Sequence, residues 1–435
     1  MTRRVVITGL GVVSPLGNSP EKLWENLSSG TSGVRPLRSI PADFLPTKIG
    51  GEAIDFTGAI EDFGPLEKTM SRNIKKNLKV MCREIQMGVA VAQLAITHGG
   101  LKLNELNLDR IGCVYGSDYM LTLPQEFTAG VKACLDENNE FHFDRWADKG
   151  LPAVEPLWLL KYLPNLPASH IAIFNDLHGP NNSVTMREAS SYLAMGEAYH
   201  TITRGHADII IAGATGTKVH VARTLHVVGQ EQMAKDPGDP AKASRPFDLH
   251  RSGSVIGEGA GALILEEAES AKARGANVYG EVIGFGATAV VDRNGHGNTK
   301  QAVINVLQLA LKSAGLKPGD IGHINAHGLG DTRMDADEAA GIAEVFSGSA
   351  AKTPVVAAKS YFGNLGAASG LVELVASLTA LREGKLFRTL NYETPDPACP
   401  IAVNTSDSAA AGETAISLNI TPQGQASAIV VRKAA

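Results

Sequence analysis

Short β-branched runs recur from one end of this chain to the other, and stretches of helical periodicity separate them. The runs fall at 5–8, 111–115, 183–186, 209–212, 262–265, 282–286, 323–326, 355–358 and 428–431. Each is mostly apolar on both faces, and most are bounded by Gly, Asp or Asn, the pattern of strands covered by helices. Helical patterns at 21–27, 83–96, 189–202, 300–314, 335–345 and 371–381 fill the intervals. This alternation predicts an α/β fold. The strand-and-helix order restarts near 253–265, which suggests two similar halves, 1–252 and 253–435. Segment 138–167, with Trp146, Trp158 and several prolines, interrupts the pattern and reads as an insertion lying over the core.

Composition narrows the function classes. With 435 residues, 44 % of them hydrophobic, the chain can bury a large core. Its 40 basic and 45 acidic residues are interspersed, so nucleic acid and anionic membrane are poor partners. No apolar stretch approaches the roughly 20 residues of a membrane span, and a strand stands where a signal peptide would need a helix; a cytoplasmic protein is expected. Cys82, Cys113, Cys134 and Cys399 have no metal-ligand spacing, and neither metal nor cofactor is expected. Gly9 and Gly11 do not make a dinucleotide fingerprint, because Ser14 replaces the third glycine and Pro15 follows.

The opening Arg4-Val5-Val6-Ile7-Thr8-Gly9-Leu10-Gly11, with Val12-Val13-Ser14-Pro15-Leu16-Gly17 after it, resembles the β-ketoacyl-ACP synthases, the condensing enzymes of fatty-acid and polyketide synthesis. Further matches follow in that family's order: Gly179-Pro180-Asn181, Ala207-Asp208, Ser244-Arg245-Pro246-Phe247-Asp248, Gly257-Glu258-Gly259-Ala260-Gly261, Asn325-Ala326-His327-Gly328 and Lys359-Ser360. The resemblance implies the thiolase fold, two βαβαβ-type halves in five α/β/α/β/α layers, normally dimeric. It also implies chemistry on acyl carrier protein: a cysteine thiolate at a helix N-terminus takes the acyl chain, and two histidines donate to the enolate formed from malonyl-ACP.

Carried over by position, the first histidine is His327, the lysine is Lys359, and the accompanying acids are Asp335 and Glu338. The remaining pieces are replaced. The nucleophile position is Glu188, the second histidine is Asn364, and Pro422 stands on the phenylalanine that gates the acyl pocket. That last change removes a backbone N–H that supplies half of the oxyanion hole. Ser190 lies beyond the turn and reads as a helix-start residue. Glu188 has three readings: a structural plug paired with His327 or Lys359, both partners being charged; a support for malonyl-ACP decarboxylation; or, with His327, an acid/base pair acting on a β-hydroxyacyl or enoyl thioester. The expected function is a non-condensing partner of an active synthase, like the chain-length-factor subunits. The alternative is a carrier-dependent enzyme using Glu188 and His327. Expected partners are acyl carrier protein, near the basic stretch Arg72, Lys75, Lys76, Lys79 and Arg83 or near Arg204 and Arg223, and a second subunit. The second subunit would be a copy of this chain or a cysteine-containing ketosynthase, with strand 183–186 pairing across the axis.

Overall fold

Val5–Val13 (β1) is buried along its whole length and pairs with strands of both halves, which makes it the seam of the molecule. The computed structural model describes residues 3–348 and 353–434. The first half adds Ile111–Ser117 (β2), Asn181–Thr185 (β3), Ile209–Thr217 (β4) and Ile256–Glu267 (β5). The second half consists of Gly280–Ala289 (β6), His323–Asn325 (β7), Val355–Val356 (β8), Thr414–Ile420 (β9) and Gln425–Lys433 (β10). Strand order runs β3-β2-β4-β5-β1 and then β6-β10-β9-β7-β8, so each half has the same order, mirrored about the seam. The pairing senses repeat as well: β3, β2 and β4 are parallel, as are β8, β7 and β9, and the remaining partners are antiparallel.

Arg83–His98 (α1) covers the outer face of the first half, and Thr299–Ala314 (α3) with Met334–Val345 (α4) covers that of the second. Between the halves lie Ser190–Thr203 (α2) and Ser369–Glu383 (α5), each touching strands of both. The result is the α/β/α/β/α layering that the resemblance implies. Strand alternation builds it: Ile209 and Ile211 face the outer core with Val89 and Val91, whereas Ile210 and Ala212 face the central one with Tyr192 and Met195. A third apolar cluster, with Val303, Val306, Ile416 and Leu418, lies under α3.

The glycines of each half's first strand permit the close approach of its outer helix. A Cβ on Gly11 would lie 2.0 Å from the Val91 carbonyl oxygen, and one on Gly286 would lie 2.5 Å from that of Val306. These are packing glycines.

Three differences from the sequence reading emerge. By strand order β5 completes the first half, so the repeat restarts at Gly280 rather than near residue 253. The 183–186 run is an edge strand, β3, with Asn181, Asn182 and Thr185 exposed, because among the described residues β2 alone pairs with it. Strand β9 is absent from the sequence reading, because its alternation brings Ser417 and Asn419 into what otherwise would be an apolar run. Segment 138–167 forms short irregular turns and helices, with Trp146 and Trp158 edge-on to Phe127. Among the described residues no helix is long and apolar enough to cross a membrane.

Candidate functional site

Strand β3 ends in a sharp turn before α2, and Arg187 there takes φ 49°, a left-handed conformation that is strained for a residue with a Cβ. Ser190 secures the turn: its hydroxyl accepts from Met186 N (2.7 Å) and donates to the Ser117 carbonyl (2.8 Å). It is the helix-start residue the sequence suggests, already hydrogen-bonded on both sides. The turn places Glu188 in a single helical turn directly before α2, only 1 % exposed.

The partners of Glu188 are not those expected. Its Oε1 lies 2.7 Å from Lys218 Nζ and accepts from Asn364 Nδ2 at 3.1 Å; its Oε2 lies 3.5 Å from Arg187 Nε and accepts no hydrogen bond. Lys218 follows β4 directly and is itself buried, and its ammonium also bonds Glu231 Oε1 at 2.6 Å. Arg187 reaches the same oxygen at 2.6 Å through Nη2, and through Nη1 it donates to Gln230 (2.7 Å) and Gln423 (3.3 Å). Two carboxylates and two cations thus close on one another. Burial would raise the Glu188 pKa, but the Lys218 ammonium and the Arg187 guanidinium override it and hold the carboxyl well below its ordinary range. Neither His327 nor Lys359 forms the ion pair. The reason is geometric: Lys218 and Arg187 come from the adjoining strand end and turn, whereas Lys359 is engaged elsewhere.

Lys359 pairs with Glu373 on α5 and donates to Asn419 Oδ1 at 3.1 Å. Asn419 Nδ2 donates to Glu373 Oε2 at 2.8 Å, which fixes the orientation of the amide. His327 Nδ1, 3.0 Å from Asn419 Oδ1, is therefore the donor, and Nε2 carries the lone pair. That Nε2 is buried without a partner. Burial, with Lys359 nearby, holds the His327 pKa well below its ordinary value. The expectation that His327 and Glu188 are both charged is corrected in its first part: the imidazole is neutral.

Asp335 and Glu338 lie behind this histidine at the start of α4. Glu338 accepts from His327 N (2.6 Å) and Gly328 N (2.9 Å); Asp335 accepts from Phe247 N, Leu329 N and Gly330 N. They shape the His327 loop rather than touch its ring. Burial and the neighbouring Asp335 push Glu338 up to about 8, and burial pushes Asp335 to about 6. Pro422 lies in the turn between β9 and β10, next to the Gln423 that meets Arg187.

Sequence reasoning thus missed Arg187, Lys218, Glu231, Glu373 and Asn419. Arg223 is also misassigned as a carrier contact, since it is buried on Asp118 and the Tyr119 carbonyl. Arg83 is held by Glu258. Arg72, Lys75, Lys76 and Lys79 remain exposed, with no ion pair among the described residues. Asp136, Glu140 and His142 approach one another in a surface turn, but His142 already bonds Asp136, which also caps the turn's N–H groups.

Comparison with known proteins gives one family. Residues 2–271 match the β-ketoacyl synthase N-terminal domain and residues 279–393 its C-terminal domain. The chain is 33 % identical over 405 residues to 3-oxoacyl-[acyl-carrier-protein] synthase 2 of Synechocystis sp., covering 92 % of this chain and 90 % of that one. It is 32 % identical over 404 residues to the Coxiella burnetii protein of the same name, covering 92 % and 91 %. Among solved structures, the ishigamide ketosynthase/chain length factor superimposes with TM-score 0.84 at 25 % identity, and a β-ketoacyl synthase from Burkholderia phymatum with 0.84 at 26 %; both alignments cover 100 % of each chain.

Proposed function

The chain belongs to the β-ketoacyl synthase family, and on that premise we propose that it is a non-condensing, ketosynthase-like subunit of fatty-acid or polyketide biosynthesis. It partners a cysteine-containing ketosynthase and meets acyl carrier protein. One observation carries this reading: Glu188, which the family resemblance puts at the thiolate's position, is a buried carboxylate tied to Lys218, Arg187 and Asn364. An ionised carboxylate so held neither takes an acyl chain nor admits the carboxylate of a malonyl group, which it repels. The neutral His327 presents a lone pair at Nε2, so in this state it accepts a hydrogen bond and does not donate to an enolate oxygen. Asn364 turns its amide onto Glu188, and Pro422 contributes no N–H.

The partner role draws on the exposed β3 edge and the adjoining apolar surface of segment 138–167, where Phe141, Phe143, Leu151, Leu157 and Leu159 are exposed. Strand β3 and this segment are linked through the Ser183 hydroxyl, which donates to the Pro164 carbonyl at 3.2 Å. An unpaired edge beside apolar side chains fits a second subunit of the same fold, and the ishigamide ketosynthase/chain length factor is similar in structure. The exposed Arg72, Lys75, Lys76 and Lys79 suit an acidic carrier.

The test is decarboxylation of malonyl-ACP by the wild-type protein and by Glu188→Gln, which keeps the shape and removes the charge. The carboxylate plug predicts a faster glutamine variant. A wild type at least as fast would replace this reading with that of a carrier-dependent decarboxylase.

A further inference from the structure

We propose that Lys218, Asn364 and Arg187 form a built carboxylate-binding site, and that Glu188 is its internal ligand. The inference rests on the reading of Glu188 as a plug and adds what the plug occupies. Lys218 carries it. The residue is 1 % exposed, its ammonium lies 2.7 Å from Glu188 and 2.6 Å from Glu231, and nothing else in the chain pairs with it among the described residues. Glu231 bonds the ammonium and Arg187 Nη2 as well, so both cations keep a carboxylate partner without Glu188. Asn364 is pre-oriented in the same way: its Oδ1 accepts from Gly366 N at 3.0 Å, which directs Nδ2 at the carboxylate. With the Glu188 side chain removed, Glu231 supplies one negative charge against two cations, the buried Lys218 and the half-buried Arg187. The uncompensated charge, the directed Asn364 N–H and the vacated volume specify a small carboxylate as occupant. A neutral amide of the same shape lacks the charge and should not serve.

Rescue of a truncated variant tests this. Glu188→Ala should melt several degrees below wild type, and formate or acetate should restore much of that loss, with formamide ineffective at equal concentration. The gain should vanish in Glu188→Gln, where the volume is filled, and in Glu188→Ala with Lys218→Met, where the cation is gone. Equal stabilisation of wild type and Glu188→Ala by formate, or none in either, would overturn the proposal. If Glu188→Ala does not fold, Glu188→Cys gives a second readout: the pH profile of alkylation by iodoacetamide. The thiol should titrate below the usual value of about 8.5, and Lys218→Met in the same protein should move it upward. An unshifted thiol indifferent to Lys218 would contradict the site. Malonyl-ACP turnover enters none of these readouts, so the anion site and the plug reading can fail separately.

Discussion

Glu188 and Glu338 are each 1 % exposed, yet their pKa values move in opposite directions. Burial acts on both in the same sense, raising the pKa. The difference is the company each keeps. Glu188 faces the Lys218 ammonium and the Arg187 guanidinium; Glu338 accepts two backbone N–H groups and faces a second buried carboxyl, Asp335. Dipoles shape a loop without compensating a full charge, whereas a fixed ammonium makes the carboxylate the stable form. The comparison locates an ionised, cation-paired carboxylate at the helix turn and a protonated one, Glu338, beneath the histidine loop.

Removing a buried ammonium should have the largest effect on stability. Lys218→Met leaves Arg187 alone between two buried carboxylates, and Lys359→Met leaves Glu373 without a cation among the described residues. Breaking a buried pair costs about 3–5 kcal/mol. Lys359→Met should fall at the upper end and Lys218→Met at the lower, measured by chemical denaturation. The reverse order would mean that Arg187 does not share the load.

The pH dependence of stability sharpens the same contrast. The folded chain keeps a proton on Glu338 up to about 8, whereas the unfolded chain releases it near 4.5, so stability declines as pH rises through that interval. Glu188 works in the other direction: its contribution is complete above about 4.5 and is lost as pH falls through its depressed folded value. In Tm measured against pH, Glu338→Gln should flatten the alkaline limb and Glu188→Gln the acid limb. His323, buried and held down to about 4, adds to the acid limb, since the unfolded chain binds a proton near 6.5 that the folded chain refuses.

A smaller effect compares the two halves through their seam strands. Gly11→Ala and Gly286→Ala each thrust a methyl at a helix carbonyl, from 2.0 and 2.5 Å. Overpacking of this kind costs about 1–3 kcal/mol, and Gly11→Ala should cost more. Equal stability of either variant to wild type would show that the outer helix shifts freely.

The layered fold was largely legible because buried strands write themselves as short apolar runs, and the ordered family motifs gave their sequence-to-space mapping. Strand β9 was not, because Ser417 and Asn419 face the polar centre between the halves and break the apolar pattern. Glu188, Asn364, His327 and Lys359 could be placed by register alone. Their partners could not: Lys218 and Glu231 come from segments with no motif, and a register says nothing of which cation arrives first. Two signals were nonetheless present. Lys218 is a lone charge after the apolar and small residues 209–217, and Glu373 is the one charge among residues 369–381. A charge so placed must find a buried counterpart. Glu231, among polar neighbours, carried no such signal.

The central claim is that this family member performs no acyl transfer of its own. Intact-mass spectrometry of the purified protein and of the carrier, after incubation with an acyl-ACP and malonyl-ACP, tests it directly. The expected result is a protein of unchanged mass and a carrier bearing only its original acyl and malonyl groups. An acylated protein, or a carrier bearing a chain lengthened by two carbons, would contradict it.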